Sequence, residues 1–264
     1  MASHALTRKR SLTLAIIAVV AVVATVVLGV WRPWTPPAAS TPSAAGEGSI
    51  SPAALVLPEN PRVLVFGDSW TYGSAATPPT GGYAYRLAEL IDGETIVRGV
   101  RGSGYQRPGG DGPEFRPRIM ALDASTRPDL IVIQGSINDR RQKASEYRGA
   151  VNAAWDALVK KFPGTPIVVF GPAPHELPVD AATARIDRDL SALAAERGWW
   201  YISPVKDRWI TEQNYLDVID VGPGHKHPSD AGHEYLATKL ADALATFSTA
   251  PVTAAEGTQQ QPAE

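Results

Sequence analysis

Residues 63–73 read VLVFGDSWTYG, and this stretch decides the fold. The leading apolar residues are typical of a short buried strand. Gly67 ends the strand and permits a sharp turn, so Asp68 and Ser69 follow at its carboxyl end. Ligands bind at that edge of open α/β sheets. Ser69 is therefore a candidate nucleophile, provided that a base elsewhere in the chain takes its proton.

The composition limits the functions that the chain can have. It has 264 residues, of which 44% are hydrophobic and 20% are charged, enough for one sizeable core with additional segments. A formal net charge of -2 gives no indication of nucleic-acid binding. There is no cysteine, which excludes disulfides, thiolate metal sites and cysteine catalysis.

The N-terminal region has the pattern of a membrane signal. A cationic segment, residues 8–10, precedes an uncharged apolar run over residues 12–30. As a helix this run would be roughly 28 Å long, about the thickness of the bilayer hydrocarbon core. We expect a signal anchor over residues 12–31, with residues 1–11 in the cytoplasm and the rest of the chain extracytoplasmic. The alternative is a signal peptide cleaved near Ser40, which would make the protein secreted.

The remainder divides into a spacer, a folded domain and a tail. Residues 32–60 and 249–264 are rich in Pro, Ala, Ser, Thr and Gly, which predicts a linker and a disordered tail. Residues 61–248 alternate strand and helix patterns, which predicts an α/β domain with a doubly wound, parallel five-stranded sheet flanked by helices. The strand candidates are Arg62–Phe66, Thr95–Val100, Leu130–Gln134, Ile167–Phe170 and Trp200–Ile202. The helix candidates are Tyr83–Ile91, Glu114–Ala121, Ser145–Lys161, Ala181–Arg197 and Asp230–Thr246.

Reactive or glycine-rich segments follow the first three predicted strands, and a histidine precedes the last helix. Ser69 follows the first strand, residues 99–104 the second and residues 135–139 the third, while His227 lies before the last helix. The first three loops are neighbours in a doubly wound sheet. A hydroxyl, backbone N–H groups, an amide and an imidazole at one rim are the groups that acyl transfer needs.

In this arrangement the segments resemble the SGNH, or GDSL, hydrolase family over nearly all of the folded part. Residues 67–69 resemble the first family block and Gly102 the second. Asn138 with Asp139 resembles the third, and residues 227–233 resemble the last. The resemblance implies a flavodoxin-like SGNH-hydrolase fold and a serine esterase that uses neither a cofactor nor a metal.

The resemblance also implies the roles of individual residues. Ser69 is the expected nucleophile and His227 the expected base. The N–H of Gly102, the side-chain amide of Asn138 and the N–H of Ser69 are the expected oxyanion donors. Asp68 and Asp139 are expected to bind nearby N–H groups in turns.

The sequence departs from the family pattern at two places. The third block has an additional residue before Asn138, which predicts a bulge in that loop. The family's acid lies three residues before the histidine, and Gly224 occupies that position. Asp220 is the nearest upstream carboxylate, and the turn after it permits a reversal towards His227. Asp217 is a second option, and a Ser-His dyad oriented by a backbone carbonyl is the third.

These observations predict an exported serine esterase that removes or transfers a small acyl group from a carbohydrate, lipid or cell-wall ester. An O-acyltransferase with the same residues is one alternative. A degenerate SGNH module that binds a glycan or envelope partner without turnover is another, since the acid position is a glycine.

The sequence contains two further clusters of polar residues near the predicted site. The histidines at 225, 227 and 233 with Asp230 would offer metal ligands, but no metal motif matches their spacing. The arginines at 101, 107, 140 and 141 flank the predicted site. They are interpreted either as solvated surface or as recognition of an anionic or polyhydroxylated substrate.

Overall fold

The computed structural model describes residues 52–223 and 225–248. The predicted signal anchor over residues 12–31, most of the predicted linker and the tail after Ser248 lie outside the described residues, as does Gly224. Among the helices that the structure does describe, none is both long and apolar enough to cross a membrane.

Five strands form the central sheet, and all neighbouring pairs are parallel. They are β1 (Arg62–Gly67), β2 (Glu94–Gly99), β3 (Leu130–Gln134), β4 (Ile167–Phe170) and β5 (Trp200–Ile202). Their order across the sheet is β2-β1-β3-β4-β5. A separate antiparallel ribbon pairs β6 (Ile219–Asp220) with β7 (His227–Pro228).

The α-helices alternate with these strands along the chain. They are α1 (Ser69–Tyr72), α2 (Tyr83–Leu90), α3 (Phe115–Met120), α4 (Ala144–Lys161), α5 (Ala181–Glu196), α6 (Tyr215–Val218) and α7 (Asp230–Ser248). Short 3-10 helices cover Pro79–Gly81, Ala124–Thr126 and Ile137–Arg141. The prediction of a parallel five-stranded sheet flanked by helices is confirmed.

The sheet is buried on both faces, as a parallel sheet requires. Along β1, Val63 and Val65 point into one core, and Leu64 and Phe66 point into the other. Helices α2 and α7 cover the first face, and α3, α4 and α5 cover the second. Because β1 lies between β2 and β3, the loops that follow these three strands meet at one edge.

The folded domain begins earlier than the predicted boundary at Pro61. Leu55, which the sequence places in the linker, is 1% exposed and belongs to the core beneath α7. Its N–H donates a hydrogen bond to the Phe247 carbonyl at 3.0 Å. One buried leucine within a short, proline-rich segment gives no periodic pattern, and for this reason the sequence did not reveal the contact.

Candidate active site

Ser69 begins α1 immediately after β1, in the turn that the sequence predicts. The Asp68 side chain caps this short helix by accepting a hydrogen bond from the Trp70 N–H at 2.9 Å. A Cβ atom at Gly67 would lie 2.3 Å from the Thr71 hydroxyl oxygen, so only glycine fits without displacement. The sharp turn leaves Ser69 6% exposed at the carboxyl edge of the sheet.

His227 reaches Ser69 from the far end of the domain. Its ring Nε2 lies 2.9 Å from Ser69 Oγ, within hydrogen-bonding distance. The ribbon formed by β6 and β7 places the histidine there, because His227 pairs with Asp220 at its end. At this separation a neutral imidazole can accept the hydroxyl proton.

Gly102 lies in the loop after β2, next to the turn that carries Ser69. Strands β1 and β2 end side by side, with Gly67 in register with Gly99. Gly102 has φ +74°, a left-handed conformation that favours glycine. Among the described residues, the N–H groups of Gly102 and Ser69 donate no hydrogen bond to the protein. Both are therefore available to a ligand at this edge.

Asn138 lies between that loop and the serine turn. Its Nδ2 donates to the Ser103 carbonyl at 3.0 Å and lies 3.5 Å from Asp68 Oδ2. The Ser136 side chain caps the 3-10 helix that begins at Ile137, accepting from the Asn138 N–H at 3.1 Å. The additional residue in this loop is thus accommodated by a capped helical turn, not by the predicted bulge.

Asp68 is buried, and its surroundings favour a role in shaping the turn. Burial raises the pKa of Asp68 to about 6, although the Trp70 N–H acts in the opposite direction by stabilising the carboxylate. The Gln134 side-chain nitrogen, assigned from the hydrogen-bond network, donates to Asp68 Oδ1 at 3.0 Å and to Thr71 Oγ1 at 2.9 Å. Asp68 therefore joins the serine turn to the end of β3.

Asp139 organises the loop that carries Gly102. Its carboxylate accepts hydrogen bonds from the N–H groups of Tyr105, Gln106 and Arg107 at 2.7, 3.0 and 3.1 Å. Burial raises the pKa of Asp139 to about 6, and these hydrogen bonds oppose that shift. The expectation that this carboxylate binds turn N–H groups agrees with the geometry.

The two carboxylates considered for the acid, Asp220 and Asp217, lie upstream of His227 in the chain. Asp220 lies opposite His227 in the ribbon, but its carboxylate accepts a hydrogen bond from the Gly222 N–H at 2.8 Å. A carboxylate commonly binds the backbone N–H two residues ahead, and Asp220 forms such a turn. Asp217 is exposed and contacts Ser229 through its main-chain oxygen. The effect of either carboxylate on the reaction stays a prediction.

The three C-terminal histidines do not converge. His233 is fully buried, where Nδ1 accepts from the Tyr83 N–H at 3.1 Å and Nε2 lies 3.0 Å from the Ser74 carbonyl. Nε2 must carry the proton to donate to a carbonyl. Burial lowers the pKa of His233 to about 4. His225 is exposed, and no group of three metal-binding side chains occurs within the described part of the chain.

Among the arginines that flank the predicted site, Arg101 and Arg140 bind other groups of the protein through their side chains. Arg101 forms an exposed ion pair with Asp111, 2.6 Å between Nε and Oδ2, and its guanidinium lies over the Tyr72 ring. Arg140 donates to the Ile137 carbonyl at 3.0 Å. A substrate role for these cations stays a prediction.

Ser103 and Arg118 are the residues at this site that sequence reasoning missed. Ser103 is fully buried, and its carbonyl accepts from Asn138 Nδ2 and from Ser136 Oγ, both at 3.0 Å. Arg118 donates to Ser103 Oγ at 3.0 Å. Two arginines, Arg116 and Arg118, lie between Phe115 and Ile119, and the sequence does not show which of them binds Ser103.

Comparison with known proteins identifies the family. The family model described as the GDSL-like lipase/acylhydrolase family matches residues 65–235, more than half of the chain. A GDSL lipase of Mycobacterium tuberculosis is 29% identical over 206 residues, which cover 73% of this chain and 85% of the relative.

Solved structures share the fold. A carbohydrate acetylesterase family member from Sinorhizobium meliloti has a TM-score of 0.56 at 17% identity, covering 71% of this chain and 99% of that one. The M. smegmatis aryl esterase gives the same values. A catalytic mutant of an acetylxylan esterase from Geobacillus stearothermophilus has a TM-score of 0.57 at 18% identity, covering 71% and 95%. From the family match and this architecture, the chain belongs to the GDSL-like lipase/acylhydrolase family and is a serine hydrolase of that type.

Proposed function

We propose that this hydrolase uses Ser69 as the nucleophile and His227 as the general base. The proposal rests on the 2.9 Å separation between Ser69 Oγ and His227 Nε2 at the carboxyl edge of the sheet. Ser69 Oγ attacks the ester carbonyl carbon while its proton passes to Nε2, and the carbonyl oxygen becomes an oxyanion.

The oxyanion is proposed to bind three donors. They are the N–H groups of Ser69 and Gly102, which donate no hydrogen bond among the described residues, and the Nδ2 of Asn138. Donors fixed in a partly buried site stabilise charge that develops in the transition state more than they stabilise the substrate. Collapse of the intermediate then breaks the ester bond, and His227 returns its proton to the leaving alcohol.

Water completes the cycle. It gives a proton to His227 and attacks the acyl-enzyme carbonyl. Collapse of the second oxyanion then breaks the bond to Ser69 Oγ and releases the acid, and His227 returns its proton to Oγ. An alcohol in place of water would make the same residues an O-acyltransferase. Competition between water and added acceptor alcohols, read from the ratio of acid to new ester, separates the two outcomes.

The proposed substrate is a small acyl group on a carbohydrate, lipid or cell-wall ester. The M. tuberculosis relative named a lipase and the structural neighbours named acetylesterases support an ester of this kind. A p-nitrophenyl ester series of increasing chain length would find the preferred acyl group. A steady rise in kcat/KM towards long chains would contradict the small acyl group.

The mechanism is tested by Ser69→Ala and His227→Ala. Each should lower kcat by on the order of 10³-fold or more, and the double variant should be little worse, because the two residues act as a unit. His225→Ala, an exposed neighbour two residues away, is the matched control. Labelling of Ser69 by a fluorophosphonate would separate an enzyme from a non-catalytic binding module. Near-native kcat in Ser69→Ala would refute the nucleophile assignment.

We also propose that residues 12–31 hold the protein in the cytoplasmic membrane with the hydrolase domain outside. The apolar run after the cationic residues 8–10 supports this arrangement. Protease added to intact cells should release the domain through the segment before Pro52. Recovery of a soluble form that starts near Ser40 would show a cleaved signal instead.

A further inference from the structure

The Arg118 guanidinium occupies an unusual position at the base of the candidate site. It lies 4.3 Å from the centroid of the Phe66 ring and 5.3 Å from that of Phe115, and the residue is partly buried. Burial lowers the pKa of Arg118 to about 10, while the negative charge of Asp68 acts in the opposite direction. A charged group is costly to bury unless its N–H groups are bonded, so its partners are informative.

Those partners lie at the two ends of one loop. Nη2 of Arg118 donates to the Arg98 carbonyl at 2.7 Å, near the end of β2. Nη1 donates to Ser103 Oγ at 3.0 Å. The guanidinium therefore spans residues 99–102, and Gly102 is the residue of that segment whose N–H is a proposed oxyanion donor.

Ser103 connects this loop to the second proposed donor. Its hydroxyl donates to the Pro113 carbonyl at 3.0 Å while accepting from Arg118, which fixes its orientation. Its carbonyl accepts from Asn138 Nδ2 at 3.0 Å. One buried residue thus follows Gly102 directly and also holds the Asn138 amide.

We propose that Arg118 is a positioning residue for the oxyanion hole and that it acts through Ser103. This inference rests on the proposed function, since it assumes that Gly102 and Asn138 bind the oxyanion. The planar guanidinium presents donors in a fixed geometry to two acceptors, which a lysine ammonium on a flexible stem reproduces poorly. The aromatic contacts with Phe66 and Phe115 hold that plane against the strand that leads to Ser69.

The predicted consequence is specific to the transition state. Donors displaced by a fraction of an ångström stabilise an oxyanion less while the bound ester is affected little. Arg118→Met should therefore lower kcat on the order of 10- to 100-fold with KM changed less than about twofold. Arg118→Lys should retain an intermediate kcat, and Ser103→Ala should lower kcat in the same way.

The experiment measures kcat and KM of the full chain per active site, with sites counted by fluorophosphonate titration so that unfolded protein is excluded. Phenylboronic acid is the second probe, because Ser69 Oγ adds to boron with its proton passing to His227, which leaves a tetrahedral adduct. Its inhibition constant should rise by about the same factor as kcat falls. Arg116→Met is the matched control, since Arg116 is exposed in the same helix and should leave all values unchanged.

The inference is overturned if Arg118→Met or Ser103→Ala keeps wild-type kcat and boronate affinity per titrated site. It is also overturned if the loss appears in KM alone. Should Arg118→Met yield no folded protein, Ser103→Ala decides, because it removes only a hydroxyl. The Ser69→Ala variant distinguishes a failure of the proposed function from a failure of this inference. Activity in that variant would refute the proposed function, whereas an inactive Ser69→Ala with normal Arg118 variants would refute this inference alone.

Discussion

Ser69 and Asn138 lie in short helical turns whose neighbouring polar groups are buried and bonded to one another. His227, in contrast, lies on a ribbon flanked by exposed residues. Asp68, Ser103 and Ser136 are all 0% exposed. Beside His227, Val221 is 54% exposed, and an exposed ion pair between Lys226 and Glu176 holds the ribbon to the loop after β4.

The difference separates two tasks of the site. Stabilising an oxyanion needs donors that do not reorganise during the reaction, and buried neighbours bonded to one another hold such donors in place. A base needs only to reach the hydroxyl, and the main-chain pairing of β6 with β7 achieves that. Exposed ion pairs add little to stability, so the ribbon is the less constrained half.

Asn138→Ala gives the largest expected effect on the buried half. It should lower kcat by roughly 10²- to 10³-fold with little change in KM, because an oxyanion donor acts in the transition state. Steady-state kinetics with a p-nitrophenyl ester measure both constants. An effect confined to KM would make Asn138 a substrate-binding residue and would weaken the contrast between the halves.

His233 lies on α7 and binds the Ser74 carbonyl, shortly after the serine turn, and His233→Gln tests how this buried contact responds to acid. The folded-state pKa of His233 is lowered to about 4, so between about pH 6.5 and 4 the unfolded chain binds a proton that the folded protein does not. Stability is therefore lost as pH falls through this window, by up to about 3 kcal/mol. A glutamine side chain can also accept one hydrogen bond and donate another, but it does not bind a proton in this pH range.

Urea unfolding at pH 7 and at pH 4.5 measures this difference. The wild type should lose more free energy of unfolding between the two pH values than His233→Gln does. His225→Gln is the control, because His225 is exposed and should leave the wild-type pH dependence intact. Equal losses in the wild type and His233→Gln would contradict the depressed pKa.

Asp220→Asn should have the smallest effect, less than about tenfold in kcat. Its carboxylate closes the turn to Gly222, and an asparagine oxygen can accept the same N–H. A loss near 10⁴-fold, as expected when an imidazole is held in the wrong tautomer, would instead make Asp220 the missing acid. The pH dependence of kcat, compared with that of Asp217→Asn, identifies which carboxylate acts.

The strands of the sheet were predictable because the apolar pattern that indicates each strand lies within a few consecutive residues. The predicted strands Leu130–Gln134, Ile167–Phe170 and Trp200–Ile202 agree with β3, β4 and β5 at both ends. Glycines and prolines mark the ends of the helices, and the predicted helix boundaries differ from those observed by at most two residues. The pairing of Ser69 with His227 was expected from the family resemblance, and their ring and hydroxyl atoms lie 2.9 Å apart.

The supporting contacts were not predictable, because they join residues far apart in sequence without a repeating pattern. Nothing near Ser103 indicates that Arg118 would bind it. The hydrogen bond from the Gly222 N–H to the Asp220 carboxylate was not predicted either. Where a side chain has several possible hydrogen-bond partners, only the tertiary structure shows which of them it binds.

The hydrogen bond between Leu55 and Phe247 means that the domain's chain enters and leaves at the same place. Joined ends are the condition for circular permutation. A short linker from Ser248 to Pro52 would close the chain into a ring, and new termini opened at the exposed turn around Arg127 would leave the three site loops uncut. In such a permutant the catalytic residues would stay at the carboxyl end of β3. The new chain ends would lie near the amino end of that strand.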